Sequence, residues 1–147
     1  MRKALCLAAV IFTLSLTPAL PAQISSIVDN GPVGKFEKFE ATYNLGQTYK
    51  NPFDPAQIDV TVVFTSPSGV AHQVKGFIYQ DYTRTGGPQS EVLTPSGPLV
   101  WKARFAPDET GTWSYSLQAT DASGTARSPA RSFTVTASAN KGFVRVS

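Results

Sequence analysis

The sequence predicts an all-β fold: an antiparallel β-sandwich of about seven to nine strands, preceded by a helical signal peptide. Three observations support this prediction. Several segments alternate apolar and polar residues with a period of two. Clusters of Gly, Pro, Asn and Asp separate these segments at short intervals. Beyond the first 22 residues, the chain lacks the 3.6-residue period of an amphipathic helix. With 147 residues, one ordinary domain is expected.

The N-terminal segment, residues 1–22, has the features of a secretory signal peptide. Arg2 and Lys3 precede an apolar run at residues 4–16, and small residues before Gln23 offer a cleavage point. The run is shorter than the roughly 20 residues that a bilayer-spanning helix needs. We therefore predict a secreted or periplasmic protein without a stable membrane anchor. Because Cys6 is the only cysteine, the mature domain would contain no disulfide.

The strongest strand predictions share one apolar and one polar face. A small-residue and polar lead-in, residues 23–34, precedes the sandwich domain at residues 35–147. Alternation predicts half-buried strands at residues 58–65, 101–105, 113–117 and 132–136. Their apolar faces, with neighbouring aromatic residues, are expected to form one core that includes Phe64, Trp101, Phe105, Trp113, Tyr115 and Phe133.

Weaker strands flank the strong ones. Residues 35–43 change the parity of their apolar positions between Phe36 and Phe39, and residues 70–82 change it around Gly76. Each change predicts a β-bulge within a strand. Residues 143–146 are expected to form a last short extended piece.

One connection is unusually long. Residues 83–98 have no strong strand pattern, although a short strand at residues 91–94 is compatible with the sequence. Connections of this length in a compact domain are typically functional or disordered. We predict an interaction loop with Tyr82, Arg84 and Glu91 as contact residues, since arginine pairs well with carboxylates and carbonyl groups. The alternative is a hairpin with a short edge strand.

The composition argues against most catalytic chemistry. The chain has one Cys and one His, and it lacks the common nucleophile, phosphate-loop and zinc motifs. His72 shares strand parity with apolar neighbours, which favours a partly buried or edge position. Asp108 and Glu109 lie in a turn, where Asp is favoured for local backbone reasons. We predict no catalytic residues, no metal site and no cofactor, so the protein is not expected to be an enzyme.

The basic and aromatic residues indicate which polymers are expected as partners. The 13 basic residues are dispersed among 10 acidic ones, so a nucleic-acid partner is not expected. Sugar-binding modules expose flat aromatic rings, but both Trp residues lie on apolar strand faces and are expected in the core. The candidates for carbohydrate binding are therefore Tyr49, Phe53 and Tyr82.

Several stretches together resemble a known family. They are FTSPSG at residues 64–69, GFIYQDYTR at 76–84, WKARFAP at 101–107, GTWSY at 111–115 and KGFVRVS at 141–147. The chain resembles a bacterial domain-of-unknown-function family found N-terminal to apiosidase-like (β/α)₈ glycoside hydrolases in secreted proteins. This resemblance implies an Ig-like sandwich.

The resemblance also implies a function. In the longer members the G-F-V-R-V-S stretch leads into a barrel that carries the catalytic carboxylates, so residues 140–147 are expected to be a bridge. A barrel needs about 250 residues, and this chain stops at Ser147, so hydrolase activity is not carried over. The expected function is a non-catalytic accessory domain for a polysaccharide-degrading barrel. The alternatives are a free-standing carbohydrate-binding module and, third, an enzyme in its own right.

Overall fold

The computed structural model of the protein describes residues 23–142, and in this part the chain forms ten β-strands and no helix. In chain order they are β1 (Ile24–Asp29), β2 (Val33–Gly34), β3 (Phe39–Leu45), β4 (Ile58–Thr65), β5 (Ala71–Lys75), β6 (Phe77–Thr85), β7 (Val92–Phe105), β8 (Gly111–Asp121), β9 (Gly124–Arg127) and β10 (Arg131–Thr136). Within residues 23–142 there is accordingly no helix long and apolar enough to cross a membrane. The predicted signal peptide and the predicted extended piece at residues 143–146 lie outside the described residues.

The strands form two sheets. The first sheet has the order β1-β3-β7-β6, and the second has the order β2-β10-β8-β4-β5, with β9 also paired to β8. All pairs are antiparallel except β2 with β10. The predicted all-β sandwich is therefore confirmed, with ten strands. The additional strands are short, and β1 and β2 come from the lead-in, which contributes one strand to each sheet.

The core is built from the alternating apolar faces of both sheets. Of the six predicted core residues, five are buried, and Phe105 is partly buried and packs against the same cluster. Phe39 lies among them; its ring stacks on Phe133 at 3.9 Å and meets Phe64 edge-on at 5.6 Å. Trp113 is fully buried and Trp101 is 9% exposed. The predicted common core is confirmed, and neither Trp is a surface platform.

The parity change near Phe36 has a different cause from the one predicted. Phe36 has a φ of 63°, in the left-handed region, and β3 begins only at Phe39. The predicted bulge is therefore a turn between β2 and β3. The end of the described chain is fastened to this turn, because Asn140 Nδ2 donates to the Phe36 carbonyl at 3.1 Å and Ser138 Oγ donates to Glu37 at 2.8 Å.

The parity change at Gly76 marks a crossing between the two sheets. β5 belongs to the second sheet and β6 to the first, and Gly76 is the one residue between them. Its N–H donates to the Val60 carbonyl at 2.8 Å. A bulge was predicted here and is wrong: the chain leaves one sheet and enters the other.

We expect Gly76→Ala to destabilise the sandwich by about 1–2 kcal/mol, because an extra methyl group in a packed interior forces its neighbours apart. An added Cβ would lie 3.0 Å from Val60 and closer still to the hydroxyl of the buried Tyr43. Gly87→Ala is the matched control, since nothing lies within 4 Å of the added atom. Urea unfolding measures both variants. Equal free energies of unfolding would contradict the close packing at the crossing.

Candidate functional site

The predicted long loop is a β-hairpin that extends beyond the sandwich. β6 and β7 pair from Asp81–Ser96 to Thr85–Val92, and residues 86–91 form the turn. β3 pairs only with the C-terminal part of β7, from Tyr43–Trp101 to Phe39–Phe105. Residues 81–85 and 92–96 therefore form a two-stranded ribbon. The connection is thus a hairpin, as the alternative stated, but both arms are longer than a short edge strand. Its role in an interaction stays a prediction.

The side chain of Gln80 fixes the base of the ribbon. The register of β6 on β7 shifts between Tyr79 and Asp81. At this irregularity the Gln80 amide donates to the carbonyl groups of Asp81, Ser96 and Gly97 at 3.1–3.2 Å. These bonds link the two strands at the point where their register changes.

The two faces of the ribbon differ in chemistry. Residues opposite each other in an antiparallel pair project to the same side, and successive residues alternate. The pairs Tyr82–Pro95 and Arg84–Leu93 therefore share one face, which we call the apolar face. The polar face carries Asp81, Thr83, Thr85, Val92, Thr94 and Ser96.

The apolar face brings together the three predicted contact residues. Arg84 forms an ion pair with Glu91 at 2.9 Å, and Tyr82 lies on the same face as Arg84. Tyr82 is 50% exposed and Leu93 is 56% exposed. Leu93 was not predicted; its signal in the sequence is an apolar Val-Leu pair within an otherwise polar connection. The result is an exposed patch with a tyrosine, a leucine and an oriented guanidinium group.

The carbohydrate candidates do not form one surface. Tyr49 lies between β3 and β4, its ring is partly buried against the core, and its hydroxyl donates to Asp121 Oδ2 at 2.9 Å. Burial, and then the bond to Asp121, raises the pKa of Tyr49. Phe53 is 76% exposed and lines a hollow of about 390 Å³ that also reaches Trp101. Tyr82 lies on the ribbon and lines neither this hollow nor the one beside Tyr49.

The hollow beside Tyr49 is lined mostly by residues with polar side chains. It has a volume of about 350 Å³ and is lined by Tyr49, Lys50, Gln57, Asp121 and other residues. Hydrogen bonds from the Ser123 hydroxyl and backbone, and from Tyr49, lower the pKa of the Asp121 carboxyl. Both carboxylate oxygens therefore accept hydrogen bonds from within the domain.

Glu109, one of the two acidic residues in the turn before β8, makes structural contacts. Glu109 accepts hydrogen bonds from the Ser68 hydroxyl at 2.6 Å and the Ser68 N–H at 3.2 Å, which lower its pKa and fasten the turn after β4. His72 is partly buried as predicted, and its ring lies 5.6 Å from those of Phe105 and Trp113. No group of three or more His, Cys, Asp or Glu side chains in the described part of the chain could hold a metal ion.

A charge cluster on the outer face of the first sheet was not predicted. Glu40 pairs with Lys102 at 2.6 Å, with Arg104 at 2.7 Å and with Lys38 at 3.5 Å. Lys102 also lies over the ring of Tyr79, 4.4 Å from its centroid. Burial raises the pKa of the Glu40 carboxyl, but the hydrogen bonds and charges of its cations outweigh this effect and lower the pKa to about 2. The alternation of apolar and polar residues at 101–105 predicts that Lys102 and Arg104 lie on this face. It could not show that Glu40, from another strand, forms ion pairs with them.

The comparisons with known proteins give a family and no individual relative. Neither curated proteins nor solved structures match the chain. A family described as "Domain of unknown function (DUF5060)" matches residues 32–120, a span that runs from just before β2 to the end of β8 and includes the whole ribbon. Since this match covers more than half of the sequence, the chain belongs to the DUF5060 family.

Proposed function

We propose that the protein is an exported, non-catalytic accessory domain that docks onto a protein neighbour through the apolar face of its ribbon. The neighbour suggested by the family resemblance is a polysaccharide-degrading (β/α)₈ barrel. The observation that carries this proposal is the position of Tyr82 and Leu93, two large side chains that are half exposed on one face of a projecting ribbon.

Physical considerations favour docking at this face. An isolated two-stranded ribbon is only marginally stable in water, so burial of one face against a partner would stabilise it. Tyrosine and arginine are enriched at the energetic centres of protein interfaces. The ion pair with Glu91 orients the Arg84 guanidinium group, so less side-chain entropy is lost on binding.

The test compares two adjacent residues with nearly equal exposure and opposite faces. Leu93 on the apolar face is 56% exposed, and Val92 on the polar face is 55% exposed. We expect Leu93→Ser to weaken binding to a purified barrel domain from a longer relative about tenfold or more, because it removes an interface anchor. Val92→Ser should change the affinity less than about threefold. Isothermal titration calorimetry measures both.

Equal effects of the two substitutions would contradict docking through the apolar face. Absence of barrel binding by the unmodified protein would contradict it as well.

A second candidate function is carbohydrate binding. It is favoured by the hollow beside Tyr49, which the aromatic ring lines together with Lys50, Gln57 and Asp121. Such groups match the hydroxyl groups and the C–H face of a sugar. Affinity electrophoresis in polysaccharide gels separates the two functions: retardation of the unmodified protein and of Leu93→Ser alike, without binding to the barrel, would favour this second candidate.

A further inference from the structure

The outer edge of β6 is an open strand edge at one end of the first sheet. β6 has nine residues and lies at the end of the first sheet. At the opposite end, β1 is interrupted by a register shift where Ser26 has a φ of 50°. The edge strands of the second sheet are shorter, with two residues in β2 and five in β5. Short or irregular edges resist pairing with other chains, whereas regular ones favour it. Beyond its own register shift at Gln80, β6 is regular over residues 81–85, in the projecting ribbon.

The amides that point outward from this edge follow from the pairing with β7. Tyr82 lies opposite Pro95, which has no N–H and cannot exchange two hydrogen bonds with it. Hydrogen-bonded and non-hydrogen-bonded pairs alternate along an antiparallel ladder. Tyr82–Pro95 and Arg84–Leu93 are therefore non-hydrogen-bonded pairs, so the N–H and C=O groups of Tyr82 and Arg84 point away from β7. The Tyr82 N–H indeed donates to the Asp81 carboxylate, at 2.9 Å.

We propose that β6 pairs with β6 of a second copy of this chain, antiparallel and about a twofold axis at Thr83. This register places Tyr82 opposite Arg84 of the second copy, and Arg84 opposite its Tyr82. Both residues present outward N–H and C=O groups, so the two pairs form four backbone hydrogen bonds. The spacing of the two residues about Thr83 is what makes the edge complementary to itself.

The side chains agree with this register. Tyr82 and Arg84 lie on the same face of the ribbon, so each guanidinium group comes to lie beside the tyrosine ring of the other copy. Glu91 holds the Arg84 guanidinium at 2.9 Å and leaves its planar surface available. Asp81 comes to lie opposite Thr85 of the second copy, so no like charges face each other across the twofold axis.

Asp81 controls the strength of this association. The Asp81 carboxylate already accepts a hydrogen bond from the Tyr82 N–H. In the dimer, the Arg84 carbonyl of the second copy must take the place of this carboxylate as the acceptor. We therefore expect a weak dimer for the unmodified protein and a tighter dimer for Asp81→Ala. The backbone hydrogen bonds of this pairing use the edge of the ribbon, although Tyr82 and Arg84 also belong to the apolar face. Loss of the pairing is therefore distinguished from loss of docking by the backbone of residue 84.

The test separates the backbone of residue 84 from its side chain. Sedimentation equilibrium of the purified protein over a concentration series measures the dimer dissociation constant of each variant. Arg84→Ala removes the guanidinium and keeps the N–H, whereas Arg84→Pro removes both. Because the proline eliminates two hydrogen bonds per dimer, we expect Arg84→Pro to dimerise about thirtyfold more weakly than Arg84→Ala. Thr94→Ala, on the neighbouring strand, should leave the dissociation constant unchanged.

Hydrogen exchange gives an independent measurement that does not depend on the folding of the proline variant. In the unmodified protein, the amides of Tyr82 and Arg84 should exchange more slowly as the concentration rises. Equal dimerisation of Arg84→Pro and Arg84→Ala would overturn the pairing, as would monomers at all concentrations for both the unmodified protein and Asp81→Ala. Either result would leave docking through the apolar face unaffected.

Discussion

Trp113→Ala is expected to cost about 3–5 kcal/mol of stability, the largest effect of any substitution considered for this domain. The Trp113 side chain is fully buried, and its ring lies 5.2 Å from Phe105 and 6.4 Å from Phe133. Its indole N–H also donates to the Glu109 carbonyl at 3.0 Å. Alanine would leave a cavity between the sheets and remove the donor to that carbonyl.

Urea unfolding of the variant measures this cost directly. Val70→Ala is a suitable control, because Val70 is also apolar but 53% exposed, and its truncation should cost less than about 0.5 kcal/mol. A loss of under about 1 kcal/mol for Trp113→Ala would contradict the burial of this residue and the common core of both sheets.

Glu40→Gln is expected to cost about 3 kcal/mol near neutral pH. The substitution leaves Lys102, whose side chain is mostly buried, without its carboxylate partner, and removal of one member of a buried ion pair is strongly destabilising. Asp59→Asn is the matched control. Asp59 pairs with Lys75 at 2.7 Å, but both side chains are exposed, so this substitution should cost less than about 1 kcal/mol.

The same carboxyl gives the domain a specific acid sensitivity. The pKa of Glu40 is lowered from its usual 4.5 to about 2 in the folded protein, so its contribution to stability is complete above pH 4.5. As the pH falls from about 4.5 towards 2, the unfolded state binds a proton before the folded state does, and this contribution is lost. The free energy of unfolding should therefore fall less steeply over this range in Glu40→Gln than in the unmodified protein. Parallel pH profiles for the two proteins would contradict the charge cluster.

The sequence predicted the parts of the fold that depend on local alternation. The apolar positions of β4 and β8 lie in the core because each strand has one face against the opposite sheet. The crossing at Gly76 was interpreted as a bulge, because a change of sheet and a change of face produce the same shift in parity. Only the pairing of β5 and β6 with different strands distinguishes them.

The candidate site was predictable in its residue types and not in its geometry. Tyr82, Arg84 and Glu91 are predicted as contact residues because they lie in or at the start of a long connection, and the structure places them along one hairpin. The register that puts Leu93 beside Arg84 depends on the irregularity at Gln80, which no local pattern indicates. The cluster at Glu40 also depends on which strands are neighbours, since Lys102 is 62 residues away in the chain.

The parallel pair of β2 and β10 has a consequence for the order of folding. Val33 pairs with Val135, so a strand from the beginning of the domain finds its sheet partner about a hundred residues later in the chain. The bond from the Tyr115 hydroxyl to Asp29, at 2.7 Å, likewise joins distant parts of the chain. Contacts of such large sequence separation form slowly, because the intervening chain must first lose its freedom. This end of the sandwich therefore stays open until β10 has joined the second sheet.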